Sequence, residues 1–163
     1  MAISRRTDYA LRLVAALAQS DGAPMSVRAA AEAQQVPYAF ARSIQHDLVL
    51  AGIVTSRRGA HGGTVLAKPA DELTVLDVID AVQGGITLSV CVHDKTWCPR
   101  SQNCAFHYLW VGADKLLYDY LEKTSIAKRL SDFEEHGADA RLLQLEEEFN
   151  AAGRHPAPCP DDC

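Results

Sequence analysis

Three cysteines, Cys91, Cys98 and Cys104, lie in the middle of the chain, with six residues between the first two and five between the second pair. Their thiolates are soft ligands of the kind that iron–sulfur clusters and zinc take. Structural zinc sites bring their ligands in close pairs, roughly two to four residues apart. The wider spacing makes zinc the less natural occupant and an iron–sulfur cluster, of two-iron or four-iron type, the better one. Residues 86–103 also contain Pro99, Asn103 and several charges, a poor setting for buried apolar thiols. Cys159 and Cys163 belong to the C-terminal tail and read as incidental, since terminal residues are generally poorly ordered. Three thiolates leave one coordination position to fill. His107 follows Cys104 by three residues, on the same face of one helical turn; His93 and His61 are weaker choices.

Thiol chemistry depends on compartment. No run approaches the roughly 20 apolar residues of a membrane span. Leu13–Ala18 after Arg5 and Arg6 mimics a short secretory segment, but Asp8 and Arg12 interrupt it and Gln19-Ser20-Asp21-Gly22 ends it early. It reads as a core helix, and the chain is expected in the cytoplasm, where thiols stay reduced and act as ligands or reactive groups before they pair as disulfides.

The elements that must position these thiols follow from periodicity and caps. With 163 residues, the chain has room for one domain plus an appendage. Thr7–Ala18 places Ala10, Leu13, Val14 and Leu17 on one helical face. Ser26 is placed to cap a second helix, Val27–Gln34. A third, Tyr38–Leu50, buries Ala41, Ile44 and Leu48 and ends at Gly52. Ile53–Ser56 and Thr64–Leu66 read as strands of a β-hairpin around the loop 57–63. Thr74 and Asp77 form a capping-box-like start to a helix that Gly84-Gly85 stops. Residues 86–103 read as a loop, at roughly 18 residues longer than a compact domain tolerates without a function. A long helix, Cys104–Lys123, carries an apolar face of Leu109, Ala113, Leu116, Leu117, Tyr120 and Leu121, a natural dimer seam. Ser125–Glu135 and Ala138–Asn150 are shorter helical stretches, and the tail from Gly153 reads as disordered.

Three helices and a basic hairpin, in that order, predict a mainly α fold with a small β-hairpin wing: a winged helix-turn-helix followed by a long dimerisation helix. The expected divisions are residues 1–84 for the helix-turn-helix, 85–103 for the cysteine loop, 104–135 for the dimerisation helix and the helix after it, and 136–163 for the extension. Charge also separates along the chain, at about residue 70. Residues 1–70 hold eight basic side chains against four acidic, a local +4, while the rest hold eight against seventeen, −9. Double-stranded DNA therefore fits the first half despite a net charge of −5. A helix fits the major groove, and Arg42, Ser43, Gln45 and His46 lie largely off the third helix's buried stripe, where side chains meet base edges. Ser26 and Tyr38 stand at helix starts, where phosphate contacts are common. Arg57 and Arg58 in the wing, with His61 beside them, reach backbone or minor groove.

These residues resemble a known family. Thr7-Asp8-Tyr9-Ala10-Leu11-Arg12, Val36-Pro37-Tyr38, Ala51-Gly52-Ile53-Val54 and Arg58-Gly59 followed by Gly62-Gly63 with Leu66-Ala67-Lys68-Pro69 look like the Rrf-type winged-helix transcription regulators, over roughly residues 1–130. The resemblance implies a homodimer joined by the long helix, a DNA operator, and a repressor that senses nitric oxide, redox state or iron status through an iron–sulfur cluster on the three cysteines. It also implies two precedents for the fourth ligand. In some members an aspartate matching Asp8 reaches the cluster from the partner subunit, and in others a histidine matches His107; the N-terminal motif is nearer the first kind. Many members have lysine where Ser43 stands, an aliphatic residue where Gln45 stands, or an aromatic where Thr64 stands, departures that bear on the operator sequence rather than on the mode of binding. The competing readings are a zinc- or thiol-based regulator without a cluster and an iron–sulfur electron-transfer protein. Nothing supports an enzyme: there is no phosphate loop, no nucleophile with a matching base and no two-glycine cofactor turn.

Overall fold

A computed structural model of the chain describes residues 3–59, 62–94, 96–136 and 140–153. Helix α1 (Arg5–Gln19) begins two residues before the apolar periodicity does, because Ser4 caps it: the Ser4 Oγ accepts the Thr7 amide at 3.2 Å. Helix α2 (Val27–Ala33) is capped by Ser26, whose Oγ accepts the Ala29 amide at 3.1 Å. Helix α3 (Tyr38–Leu50) buries the expected stripe of Ala41, Ile44 and Leu48. Gly52 turns the chain out of α3 with a left-handed φ of 69°, which a side chain would strain.

Strands β1 (Val54–Arg57) and β2 (Gly63–Leu66) pair antiparallel, Val54 opposite Leu66 and Arg57 opposite Gly63. The first strand is therefore shifted one residue towards the tip and the second is one residue longer than the sequence suggests, so Arg57 and Gly63 belong to the strands rather than to the loop. A third stretch of backbone joins it. The Met25 amide donates to the Thr64 carbonyl at 3.0 Å, and the Thr64 amide donates to the Met25 carbonyl at 2.8 Å. A Cβ on Gly63 would meet the Met25 backbone at 2.8 Å, so glycine is required for this close approach.

Helix α4 (Val75–Gln83) carries the complete capping box, Thr74 and Asp77 each bonding the other's backbone amide, and ends at Gly84 in the left-handed region. The segment 86–103 was expected to be a loop but holds helix α5 (Val90–His93) and a single 3₁₀ turn, Ser101–Asn103. Helices α6 (Ala105–Glu122), α7 (Ile126–His136) and α8 (Ala140–Ala151) follow. The start of α7 is tied back to the entry of α4: the Val75 amide donates to the Thr124 carbonyl, and the Ile126 amide to the Leu73 carbonyl. One core joins these parts, running from Ala10, Val14 and Leu17 of α1 through Ile44 and Leu48 to Leu73, Val78 and Ile126. Truncating Ile44 or Leu48 there to alanine costs ~2–5 kcal/mol.

Helix α6 behaves differently from its apolar pattern. Its buried residue within the chain is Asp114, whereas Leu109, Leu116 and Tyr120 are exposed. Among the described residues no helix is long and apolar enough to cross a membrane. His61, Cys159 and Cys163, and the tail expected to be disordered, lie outside the described residues, apart from Gly153.

Candidate nucleic-acid interface and cysteine segment

Helix α3 presents two opposite stripes. The buried one anchors it on α1, and the exposed one runs at four-residue spacing through Tyr38, Arg42 and His46. Ser43 is also exposed, but its Oγ accepts a hydrogen bond of 2.9 Å from Arg6 on α1. The same guanidinium pairs with Asp47 one turn further along α3. Gln45, read from the sequence as a base-contacting residue, turns partly inward and donates to the Thr64 hydroxyl of β2 at 2.8 Å. Its amide nitrogen is thereby spent on joining α3 to the wing.

At the start of α3, Pro37 supplies no side-chain cap, and Tyr38 is stacked under the Arg28 guanidinium at 4.4 Å from the ring centroid. Ser26 and Arg28 at the start of α2 and Tyr38 at the start of α3 thus offer a hydroxyl, a cation and a phenol, all exposed. Arg57 and Arg58 extend the exposed basic groups into the wing. Arg28 and Arg6 are absent from the residues singled out by sequence. Arg28 follows the cap Ser26 by two positions, and that nearness to a helix start, where phosphate contacts are common, was the available signal; Arg6 acts through a contact 41 residues distant in sequence, which local spacing does not reveal.

The cysteine segment is fastened to α6 through a buried carboxylate. Asp114 accepts the Leu88 amide at 2.8 Å and the Thr87 hydroxyl at 3.0 Å, and the His93 imidazole lies 3.5 Å from it. Cys91 sits between these anchors, its Sγ 3.3 Å from the Ser89 hydroxyl. Asp94 closes the next turn. The Thr96 hydroxyl and amide donate to its carboxylate at 2.6 and 2.8 Å and hold its pKa below the ordinary value. Cys91, Cys98 and Cys104 are all free thiols and partly buried.

The two candidates for a fourth ligand are placed differently. Asp8 lies half-exposed in the first turn of α1, paired with Arg12 at 2.8 Å. His107 lies one turn into α6, its backbone amide on the Cys104 carbonyl at 3.1 Å, and its Nδ1 is buried without a hydrogen-bond partner. The donor set of three reduced thiols and a partnerless imidazole nitrogen fits an iron–sulfur cluster in its chemistry. The geometry stops short of it: among the described residues no three histidine, cysteine or acidic side chains are close enough together to hold a metal ion.

Comparison with known proteins bears on both regions. A family model described as Rrf2, iron-dependent transcriptional regulator, matches residues 3–132. The HTH-type transcriptional regulator NsrR of Oceanobacillus iheyensis is 28% identical over 83% of this chain and 93% of its own length. Among solved structures, CymR, the global cysteine regulator of B. subtilis, is 26% identical with a TM-score of 0.67, over 80% of this chain and 97% of its own. IscR of T. potens is 25% identical with a TM-score of 0.67, over 84% and 91% respectively.

Proposed function

The chain belongs to the Rrf2 family of winged-helix transcriptional regulators, and from that premise we propose that it is a homodimeric repressor whose hold on its operator is set by an iron–sulfur cluster on Cys91, Cys98 and Cys104. Proteins of this family are regulators of transcription and not enzymes. In this reading residues 1–84 are the DNA-reading unit, 85–103 the sensing segment, 104–135 the dimerising part and 136–163 an extension, and the protein works in the cytoplasm.

The observation that carries the DNA contact is the exposed stripe of α3, Tyr38, Arg42 and His46, backed by Arg28 and the wing arginines within residues 1–70, a stretch that is net positive. Arg42 and His46 are the side chains aimed at base edges. Ser26, Arg28, Tyr38, Arg57 and Arg58 serve phosphate. Ser43 and Gln45 act mainly by holding α3 to its neighbours, and His61 retains the wing-tip role its position in the sequence suggests.

Two residues compete for the fourth ligand position. The buried, partnerless Nδ1 favours His107, because leaving such an atom unpaired costs ~1–3 kcal/mol that a bond to iron would recover. The N-terminal motif favours Asp8, supplied by the partner subunit. When bound, a cluster with one non-thiolate ligand supplies an iron open to exchange, the property that sensing nitric oxide, redox state or iron requires.

A second reading keeps the DNA-binding function and drops the cluster: a thiol- or zinc-based regulator. It is favoured by the separation of the three thiols and by the likeness to the cysteine regulator CymR. Purification without oxygen decides between the two. Brown protein with iron and sulfide in stoichiometric amounts supports the cluster; colourless, iron-free protein overturns it. Selection of bound fragments from genomic DNA tests the regulator reading separately, which fails if no site is enriched with either form.

A further inference from the structure

The cysteine segment and the recognition helix α3 are linked by hydrogen bonds that meet at one side chain. The Gln83 Oε1, at the end of α4, accepts the Ser4 amide at 3.0 Å and the Thr7 hydroxyl at 2.9 Å. Thr7 is completely buried, and Ser4 is the cap of α1, so Gln83 holds the first turn of that helix. Within the same turn Arg6 reaches across to Ser43 and Asp47 of α3. In the other direction the Gln83 Nε2 donates to the Gly85 carbonyl at 3.4 Å. The next amide, Ile86, donates to the Tyr118 hydroxyl of α6 at 3.3 Å. One residue on, Thr87 and Leu88 hang on Asp114, and Ser89 touches the Cys91 thiol.

We propose that Gln83 is the positioning residue that couples the state of the cysteine segment to the recognition helix, through the cap of α1 and the Arg6 clamp. This rests on the reading of residues 85–103 as the sensing part, whether they hold a cluster or act as thiols. A primary amide suits the task because it accepts on one side and donates on the other. The bistable element is the first turn of α1: its Ser4 and Thr7 donors face Gln83 when the segment is docked on α6 and turn to other acceptors when it is not. Coupling of this kind must be demonstrated energetically, since a continuous set of contacts is not in itself a pathway.

The test perturbs the segment without needing a cluster or a known operator. In full-length protein with Cys159 and Cys163 replaced by serine, the three remaining thiols are blocked with N-ethylmaleimide, and backbone hydrogen exchange is compared before and after. Blocking should speed exchange at Thr7, Asp8 and the amides of α3 on the order of tenfold, the worth of about one hydrogen bond. In Gln83→Leu the effect of blocking should stay within residues 85–104. Gln83→Glu keeps the acceptor for Ser4 and Thr7 but loses the donor to Gly85. It should therefore preserve basal protection of the α1 cap while still losing transmission, which separates coupling from mere support of the fold. Equal transmission in wild type and both variants overturns the proposal, as does a wild-type protein in which blocking alters nothing beyond the segment. Failure of the cluster reading would appear separately, as colourless protein.

Discussion

The Asp8 carboxylate has Arg12 beside it at 2.8 Å, whereas the His107 Nδ1 has nothing. Replacing each by alanine therefore asks different things of the molecule. If His107 is the fourth ligand, His107→Ala should change the visible spectrum of the anaerobically purified protein and its reaction with nitric oxide, while Asp8→Ala leaves both alone. The reverse pattern assigns the ligand to Asp8 of a partner subunit, and two silent variants would remove both residues from the site. The cysteines allow a cleaner statement about stability. None of the three is in the core cluster, so alanine at Cys91, Cys98 or Cys104 should abolish iron binding and shift the melting temperature of the apo protein little. A variant that keeps full iron and sulfide content would exclude that cysteine from the ligand set.

Helix α4 shows how an element holds its place with few residues. Burial by itself would raise the Asp77 pKa, but the Thr74 amide and the Lys68 ammonium, 3.3 Å away, outweigh it and leave the value lowered. Because the folded-state pKa is depressed, the carboxylate's stabilising contribution is complete above the ordinary Asp value of about 3.9 and is lost as pH falls through the folded-state value. Asp80 works oppositely: burial and the nearby Asp77 charge raise its pKa, so acid relieves it. Thr74→Ala should cost about 1 kcal/mol in a denaturant titration, and Asp77→Asn should flatten the stability loss below about pH 4 relative to wild type. An Asp77→Asn protein with an unchanged acid limb would show that the capping box is not its source. Elements of this kind were legible from the sequence because their signals are local: Ser26 and Thr74 as caps, Gly84 as a stop, and the stripe of Ala41, Ile44 and Leu48. What escaped depends on partners far along the chain. Ser4 caps α1 with its amide on Gln83, 79 residues away. Gln45 looks free on a helical wheel, but its partner Thr64 comes from the wing. Asp114 interrupts an apolar pattern, and nothing nearby in sequence shows that Thr87 and Leu88 will satisfy it.

At the scale of the molecule, α6 leaves much apolar surface uncovered. Leu116 is 73% exposed and Tyr120 67%, on a helix of 18 residues. Exposed apolar side chains on one face of α6 suit the proposed dimer seam. Placing glutamate at Leu109 and Leu116 should yield a monomer by light scattering that stays folded, because neither residue belongs to the core, and that binds DNA far more weakly. A charged variant that remains dimeric would move the seam elsewhere. A dimer should protect two half-sites about one helical turn (~34 Å) apart, with affinity falling steeply as salt rises. Arg57→Ala together with Arg58→Ala should weaken binding across sequences and reduce that salt slope; an unchanged slope would take the wing off the phosphates. The joint between wing and helices adds a different consequence. Two backbone bonds to Met25, the Gln45–Thr64 bond and the lack of room for a Cβ at Gly63 fasten the hairpin to α3 and to the stretch before α2. In the proposed binding mode, with α3 in the major groove and the wing beside it, the two act as a caliper held at a set opening. The duplex must supply whatever bending or groove narrowing docking requires, and sequences in which that deformation is cheap are favoured at base pairs the protein never touches.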